Sequence, residues 1–249
     1  MPSLGTVGRM STYEQVLRGD RRVVTDNHDG FVAVDLALPE IWYRTFTYVR
    51  SGAVRSAAGL VRRANRDQRD VQRSRYVVVD ETLDGSVAAE LKALSWDIYQ
   101  LVAMRVDVNY YRGRKVPARL ARRIRVVTGG DDAVACARAA WGIPTGGARR
   151  LRSMSGDAIW FVAGNGAGTA RLRMVSTAVG FWIDEFVVDT SEQGTGIGSA
   201  LLDTAVRWAF DQGVESVELA ADTFRWPRRW YASRGFRTTG RFTLAVRWS

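Results

Sequence analysis

Apolar alternation and helical periodicity divide the chain into two runs of elements, separated by a basic stretch that holds a proline. Residues 1–29 are polar, poorly patterned and read as an N-terminal extension. After them the pattern predicts strands near 31–36 and 41–49 on either side of Pro39, and a helix over about 53–73. A strand at 76–80, a short helix over 86–94 and a long strand over 98–107 complete the first run, residues 30–108. His28, between Asn27 and Asp29 before Gly30, reads as a turn residue. Residues 109–123 lack a clear period and read as a basic linker.

The second run, residues 124–249, opens with a strand at 124–127, and "TGGDDAVACARAAW" offers a cap-rich start to a helix ending near Trp141. "GIPTGGARRLRSMSG" reads as a loop. "AIWFVAGNGAGTARLRMVS" reads as a hairpin turning at 164–168, and "GFWIDEFVVD" as the next strand. A helix over 197–212 has Ile197, Leu201, Ala205 and Trp208 on one stripe, and Gly213 closes it. Then come a strand "SVELAAD", a short helix "WPRRWYASRG" with Pro227 in its first turn, and "FRTTGRFTLAVRW" as a final hairpin or bent strand. The whole is a mixed α/β plan.

The junction "EFVVDTSEQGTGIGSALLDTAVRWAF" runs a strand into three glycines at alternate positions and then into a helix. There the backbone N–H groups of residues 193–199 lie at a helix N-terminus and lack intrahelical partners, which makes an anion site. A turn combined with close helix packing is the other reading, and it would ordinarily use fewer glycines. A dinucleotide fingerprint would place its third glycine at Ser199, and a P-loop would need Gly-Lys-Ser/Thr, which does not follow.

"QGTGIG", Gln193 to Gly198, resembles the Q/R-x-x-G-x-G/A signature of the GNAT N-acetyltransferases, strand before and helix after included. "ADTFRWPRRWYASRGF", one strand further on, resembles that family's second motif, a short helix with a tyrosine shortly before Gly-Phe. The resemblance spans roughly residues 124–248. It implies a GNAT fold and an acetyl-CoA cosubstrate. Its pyrophosphate would lie on Gln193, Gly194, Thr195, Gly196, Ile197, Gly198 and Ser199, and its pantetheine arm along Phe186, Val187 and Val188. Two departures touch the second motif: many members carry an asparagine where this chain has Asp222 to Phe224, and Pro227 stands where a small residue is common. The first run resembles the amino-terminal halves of tandem GNAT proteins but has no Q-x-x-G-x-G. It reads as a degenerate, partial GNAT-like domain without a cofactor site, or else as a helical-bundle appendage or an unrelated small α/β domain.

Acetyl transfer to an amine needs a neutral nucleophile, a place for its proton and a donor for the departing thiolate. Tyr231 matches the family's thiolate-protonating tyrosine; otherwise it is a core aromatic. Asp184 and Glu185 are the candidate bases, Asp184 the better match, or else each pairs with an arginine. Adjacent strand residues face opposite sides, so at most one of the two is expected to reach the acceptor. The function implied is N-acetylation of a small-molecule or protein amine. A noncatalytic CoA-binding module and an arginine-rich nucleic-acid-associated protein are the alternatives.

Composition narrows the rest. One cysteine, Cys136, and one histidine leave no His/Cys cluster for zinc and no Cys-His pair, so no metal is expected, and Cys136 fits a small buried position in an alanine-rich helix. The net charge of +10 concentrates in "RSGAVRSAAGLVRRANRDQRDVQRSR" and "RGRKVPARLARRIR". Such stretches form solvated surface or favour anionic partners, yet no nucleic-acid recognition motif accompanies them. No apolar run reaches the roughly 20 residues of a membrane span, and the first residues lack a signal peptide's apolar stretch, so a cytoplasmic location without membrane contact is expected. Nothing in the sequence names the acceptor or the oligomeric state.

Overall fold

The computed structural model describes residues 23–34, 45–50, 52–69, 74–141, 158–165, 167–177 and 180–248. The first run builds β1 (Val23–Asn27), β2 (Gly30–Val34), β3 (Phe46–Val49), α1 (Ala57–Asp67), β4 (Arg75–Val79), α2 (Gly85–Ala93) and β5 (Asp97–Asp107). The second follows with α3 (Ala118–Ala121), β6 (Ile124–Val127), α4 (Gly130–Trp141), β7 (Ala158–Ala163), β8 (Ala170–Thr177) and β9 (Gly180–Val188). It ends in α5 (Ile197–Asp211), β10 (Ser216–Asp222), α6 (Trp226–Ala232) and β11 (Arg237–Arg247). No helix among the described residues is long and apolar enough to cross a membrane.

Most expected elements are present, with two differences. β1 lies inside the stretch read as an extension, because its VVTDN alternation is too short to stand out before His28 and Asp29 turn it back onto β2. The helix expected over 53–73 is shorter: Ser56 caps it by accepting the Gly59 N–H at 3.1 Å, and its C-cap is Gln68, whose carboxamide is buried against Thr47 and Tyr76. Of the two readings of the last segment, the bent strand is the one found: a single long strand with a register shift between Thr238 and Gly240. Part of the strand expected over 41–49 and the loop after Trp141 lie outside the described residues.

The eleven strands among the described residues form one sheet in the order β1-β2-β3-β4-β11-β5-β10-β9-β8-β7-β6. Among the described strands only β3/β4 and β9/β10 are parallel, each joined through a helix, α1 and α5 respectively. The chain therefore contains two β-α-β units in an otherwise antiparallel sheet, as a doubled architecture requires. The halves interlock. β5, the last strand of the first run, pairs with β10, while β11, the last of the second, pairs with β4, and the two pair with each other between them. Each half's closing strand thus lies against the other half's β-α-β unit. Val102, Met104 and Val106 of β5 pack into the core beneath α5, and Phe242 of β11 packs into the cluster around Phe31, Tyr48 and Val78.

The segment read as a linker is tied to the second half. The Tyr111 hydroxyl donates to Asp203 at 2.5 Å, the Arg112 N–H to the Arg234 carbonyl at 2.9 Å, and Leu120 enters the core below α5. Gly235 makes this approach possible: a Cβ there would stand 2.0 Å from the Tyr110 carbonyl oxygen.

Candidate active site

The parallel pairing of β9 with β10 covers only Phe181–Ile183 against Val217–Leu219. Beyond it β9 runs on to Val188 and β10 to Asp222, so the two strands part toward their C-terminal ends. A β-bulge sits at the point of separation. On the other edge of β9, Met174 pairs with Ile183 and Arg173 with Glu185, leaving Asp184 as the extra residue. A cleft of ≈ 670 Å³ opens there. Phe186, Val187 and Val188 form one wall, the glycine loop lies at one end, and Trp226, Pro227, Trp230 and Tyr231 of α6 form the opposite wall.

The three loop glycines answer different constraints. Gly194 (φ +80°) and Gly196 (φ +88°, the N-cap of α5) hold left-handed backbone conformations that side chains disfavour. Gly198 lets α5 lie close on β9: a Cβ there would be 3.1 Å from Val188 Cγ2. Turn and packing together thus account for all three. The result is still a bare surface, because Gly194, Gly196, Gly198 and Ser199 all line the cleft.

Not every residue expected to hold the cosubstrate faces the cleft. The amides of Gln193, Thr195 and Ile197 are engaged within the turn, by the Thr190 carbonyl, the Glu192 carbonyl and the Thr195 hydroxyl. The Thr195 hydroxyl itself donates to the Glu192 carbonyl at 2.7 Å, and the Ile197 side chain is fully buried in the core. Neither lines the cleft. Gln193 does, together with Glu192, which the sequence reading did not include. Arg123 pairs with the Glu192 carboxylate and holds it below its ordinary range, so this acid at the glycine loop carries its own counter-charge.

Across the cleft, Tyr231 is 7% exposed and packs edge-on against Trp230 and Phe236. Burial pushes its phenol well above the ordinary range, and the nearby Arg234 charge partly opposes that shift. Its hydroxyl therefore stays protonated far beyond neutral pH. Trp226 and Trp230 were not singled out in the sequence, and Pro227 only as a departure from the second motif. Their spacing on a short helix that also carries Tyr231 at the cleft is the signal that marks them.

The carboxylates depart most from expectation. Because the bulge inserts one residue, Asp184 and Glu185 do not face opposite sides: both meet arginines from one face of β8. Asp184 pairs with Arg173, and Glu185 with Arg171 at 2.8 Å. Neither lines the cleft, although the Asp184 side chain at the mouth of the splay remains 31% exposed. Burial raises the Glu185 carboxyl above its ordinary value despite the opposing pull of Arg171. Cys136 is buried among alanines of α4, and burial likewise raises its thiol.

A family model described as an acetyltransferase (GNAT) domain matches residues 156–238, the stretch that supplies the splayed strand, the glycine loop and α6. Over that stretch the chain is similar to a GNAT acetyltransferase domain. Solved structures extend the likeness in fold to nearly the whole chain. A conserved protein of unknown function from Staphylococcus epidermidis superposes with a TM-score of 0.65 at 15% identity, covering 92% of this chain and 94% of that one. A GCN5-related N-acetyltransferase from Sphaerobacter thermophilus gives 0.58 at 19%, covering 88% and 76%. A tandem GNAT protein from the clavulanic acid biosynthesis pathway gives 0.52 at 18%, covering 88% and 78%. No match was found among curated proteins.

The chain has the GNAT fold, complete in its second half and partial in its first. The partial half lacks both features of the cleft. β3 and β4 stay paired to their last residues, Val49 with Val79, and the Asp80 N–H still reaches the Val49 carbonyl at 2.9 Å. The helix that follows β3 is capped by its own Ser56 side chain.

Proposed function

We propose that the cleft between β9 and β10 binds acetyl-CoA and that the protein transfers the acetyl group to a primary amine of a small molecule or protein. One observation carries this reading: the strands part beside an amide-lined glycine loop, with a protonated phenol on the far wall. The residues present fit such a cosubstrate. The edge of β9 past Ile183 faces the cleft without a strand partner, which suits an extended arm bearing amides. The glycine amides and the positive end of the α5 dipole suit a pyrophosphate, worth roughly 0.3–1 kcal/mol per charge in exposed geometry. The walls from Phe186 and Trp230, whose rings lie 5.9 Å apart, are apolar.

When bound, the cosubstrate supplies an acetyl thioester. The chain's own residues then hold the reactants and move protons. Tyr231 gives its hydroxyl proton to the sulfur as the carbon–sulfur bond breaks and the carbon–nitrogen bond forms. The proton lost by the amine passes to a carboxylate, and Asp184 is the better placed, being more exposed than Glu185 and standing at the bulge where the strands separate. No covalent nucleophile on the chain is needed.

The pairing of both carboxylates with arginines favours a second reading, a noncatalytic CoA-binding module of the same fold. Release of coenzyme A, followed with a thiol reagent across a panel of amines, separates the two. Amine-dependent release supports transfer; coenzyme A binding without release for any amine class supports the module.

A further inference from the structure

Behind the cleft, in the turn after α6, lies a cation that the proposed chemistry has not used. Arg234 is only 7% exposed. One of its terminal nitrogens donates to the Ser199 hydroxyl at 2.8 Å, in the first turn of α5, and the other to the Trp230 carbonyl at 3.3 Å. Its guanidinium carbon stands 4.0 Å from the centre of the Trp230 ring. Ser199 and Trp230 both line the cleft, on its two different elements. Among the described residues no carboxylate lies within ion-pair distance of Arg234. Asp203, the buried acid whose charge it feels, accepts instead from the Tyr111 hydroxyl at 2.5 Å and the Arg114 N–H at 3.3 Å.

A buried cation with no contact counter-ion is costly unless something negative completes its surroundings. Here the cleft it backs is the proposed seat of an anionic ligand. We propose that Arg234 is a positioning residue of this cleft: it ties the first turn of α5 to α6 and places a positive charge, which no carboxylate contacts among the described residues, behind the wall on which the cosubstrate's pyrophosphate settles. This rests on the acetyl-CoA reading. It assigns Ser199 a definite orientation, with its hydroxyl turned back onto Arg234, and it explains why a charged residue is buried against the Trp230 ring.

Charge and packing are separated by two substitutions, read by calorimetric titration with coenzyme A alongside thermal melts. Arg234→Met keeps an unbranched apolar stem over Trp230 and deletes the charge; Arg234→Lys keeps the charge and loses the planar fork. The expected result is a loss of coenzyme A affinity of at least about tenfold in Arg234→Met, with Arg234→Lys within about threefold of wild type. Affinity in Arg234→Met within about threefold of wild type, or equal losses in both variants, overturns the charge role. Should Arg234→Met fail to melt cooperatively, Arg234→Gln, which retains a terminal donor without the charge, carries the same comparison. A wild-type protein that binds no coenzyme A overturns the acetyl-CoA reading itself and this inference with it. Wild-type binding with an unaffected Arg234→Met overturns the inference alone.

Discussion

Tyr231 concentrates the chemistry in one hydroxyl, held between Trp230 and Phe236 at the inner end of α6. Tyr231→Phe keeps the ring and removes the donor. Turnover on an identified acceptor is expected to fall by roughly a hundredfold or more with little change in coenzyme A affinity, within the range typical of general acid catalysis. A loss seen in melting temperature instead of turnover would mark the ring as core alone. Burial also sets a pH dependence. Tyr231 and Tyr111 both have phenols raised in the folded state, whereas in the unfolded chain a phenol ionises near its ordinary value of about 10. Above that value the folded state binds more protons than the unfolded state, so stability is fully present below about pH 10 and falls as pH rises further. Melting curves in that window should drop less steeply with pH for Tyr231→Phe than for wild type. The sequence could show Tyr231 because a motif surrounds it. It could not show that Asp184 and Glu185 share one face, since a bulge adds a residue without altering the apolar pattern of "GFWIDEFVVD".

At the scale of elements, function turns on whether two parallel strands separate. Both β-α-β units begin alike, yet β3 and β4 stay paired while β9 and β10 part at the bulge, and only the second helix starts from glycines. The loop was legible because Gly194 and Gly196 answer a backbone demand that no other residue meets as cheaply. The splay was not, because strand separation leaves no mark on alternation. Gly196→Val places a branched side chain in a left-handed conformation and should cost about 1–3 kcal/mol of stability while the fold persists. Coenzyme A affinity should fall by at least about tenfold. The matched change in the first half, Ser56→Ala, removes a helix cap worth about 1 kcal/mol and should leave that affinity unchanged. Parallel melts and titrations of the two variants read both effects. An equal fall in affinity for Ser56→Ala would mean that the halves share the ligand.

Over the whole molecule, the exchange of β5 and β11 makes one sheet of two runs, so the partial half supports the complete one by lending β5 to the flank of β10. In the sequence the basic stretch divides the chain into two runs of elements. Their interlocking was not legible there, since which long strand pairs with which is decided by contacts across more than a hundred residues, such as Leu101 with Asp222 and Val79 with Thr243. One doubled sheet with one splayed strand pair should hold one ligand. The most direct test is a calorimetric titration of the intact chain with coenzyme A, beside Gly196→Val. Saturation at one coenzyme A per chain, with affinity lost in the variant while its melt stays cooperative, is the expected result. Saturation at two, absence of binding, or unchanged affinity in Gly196→Val would contradict a single site at the β9/β10 cleft.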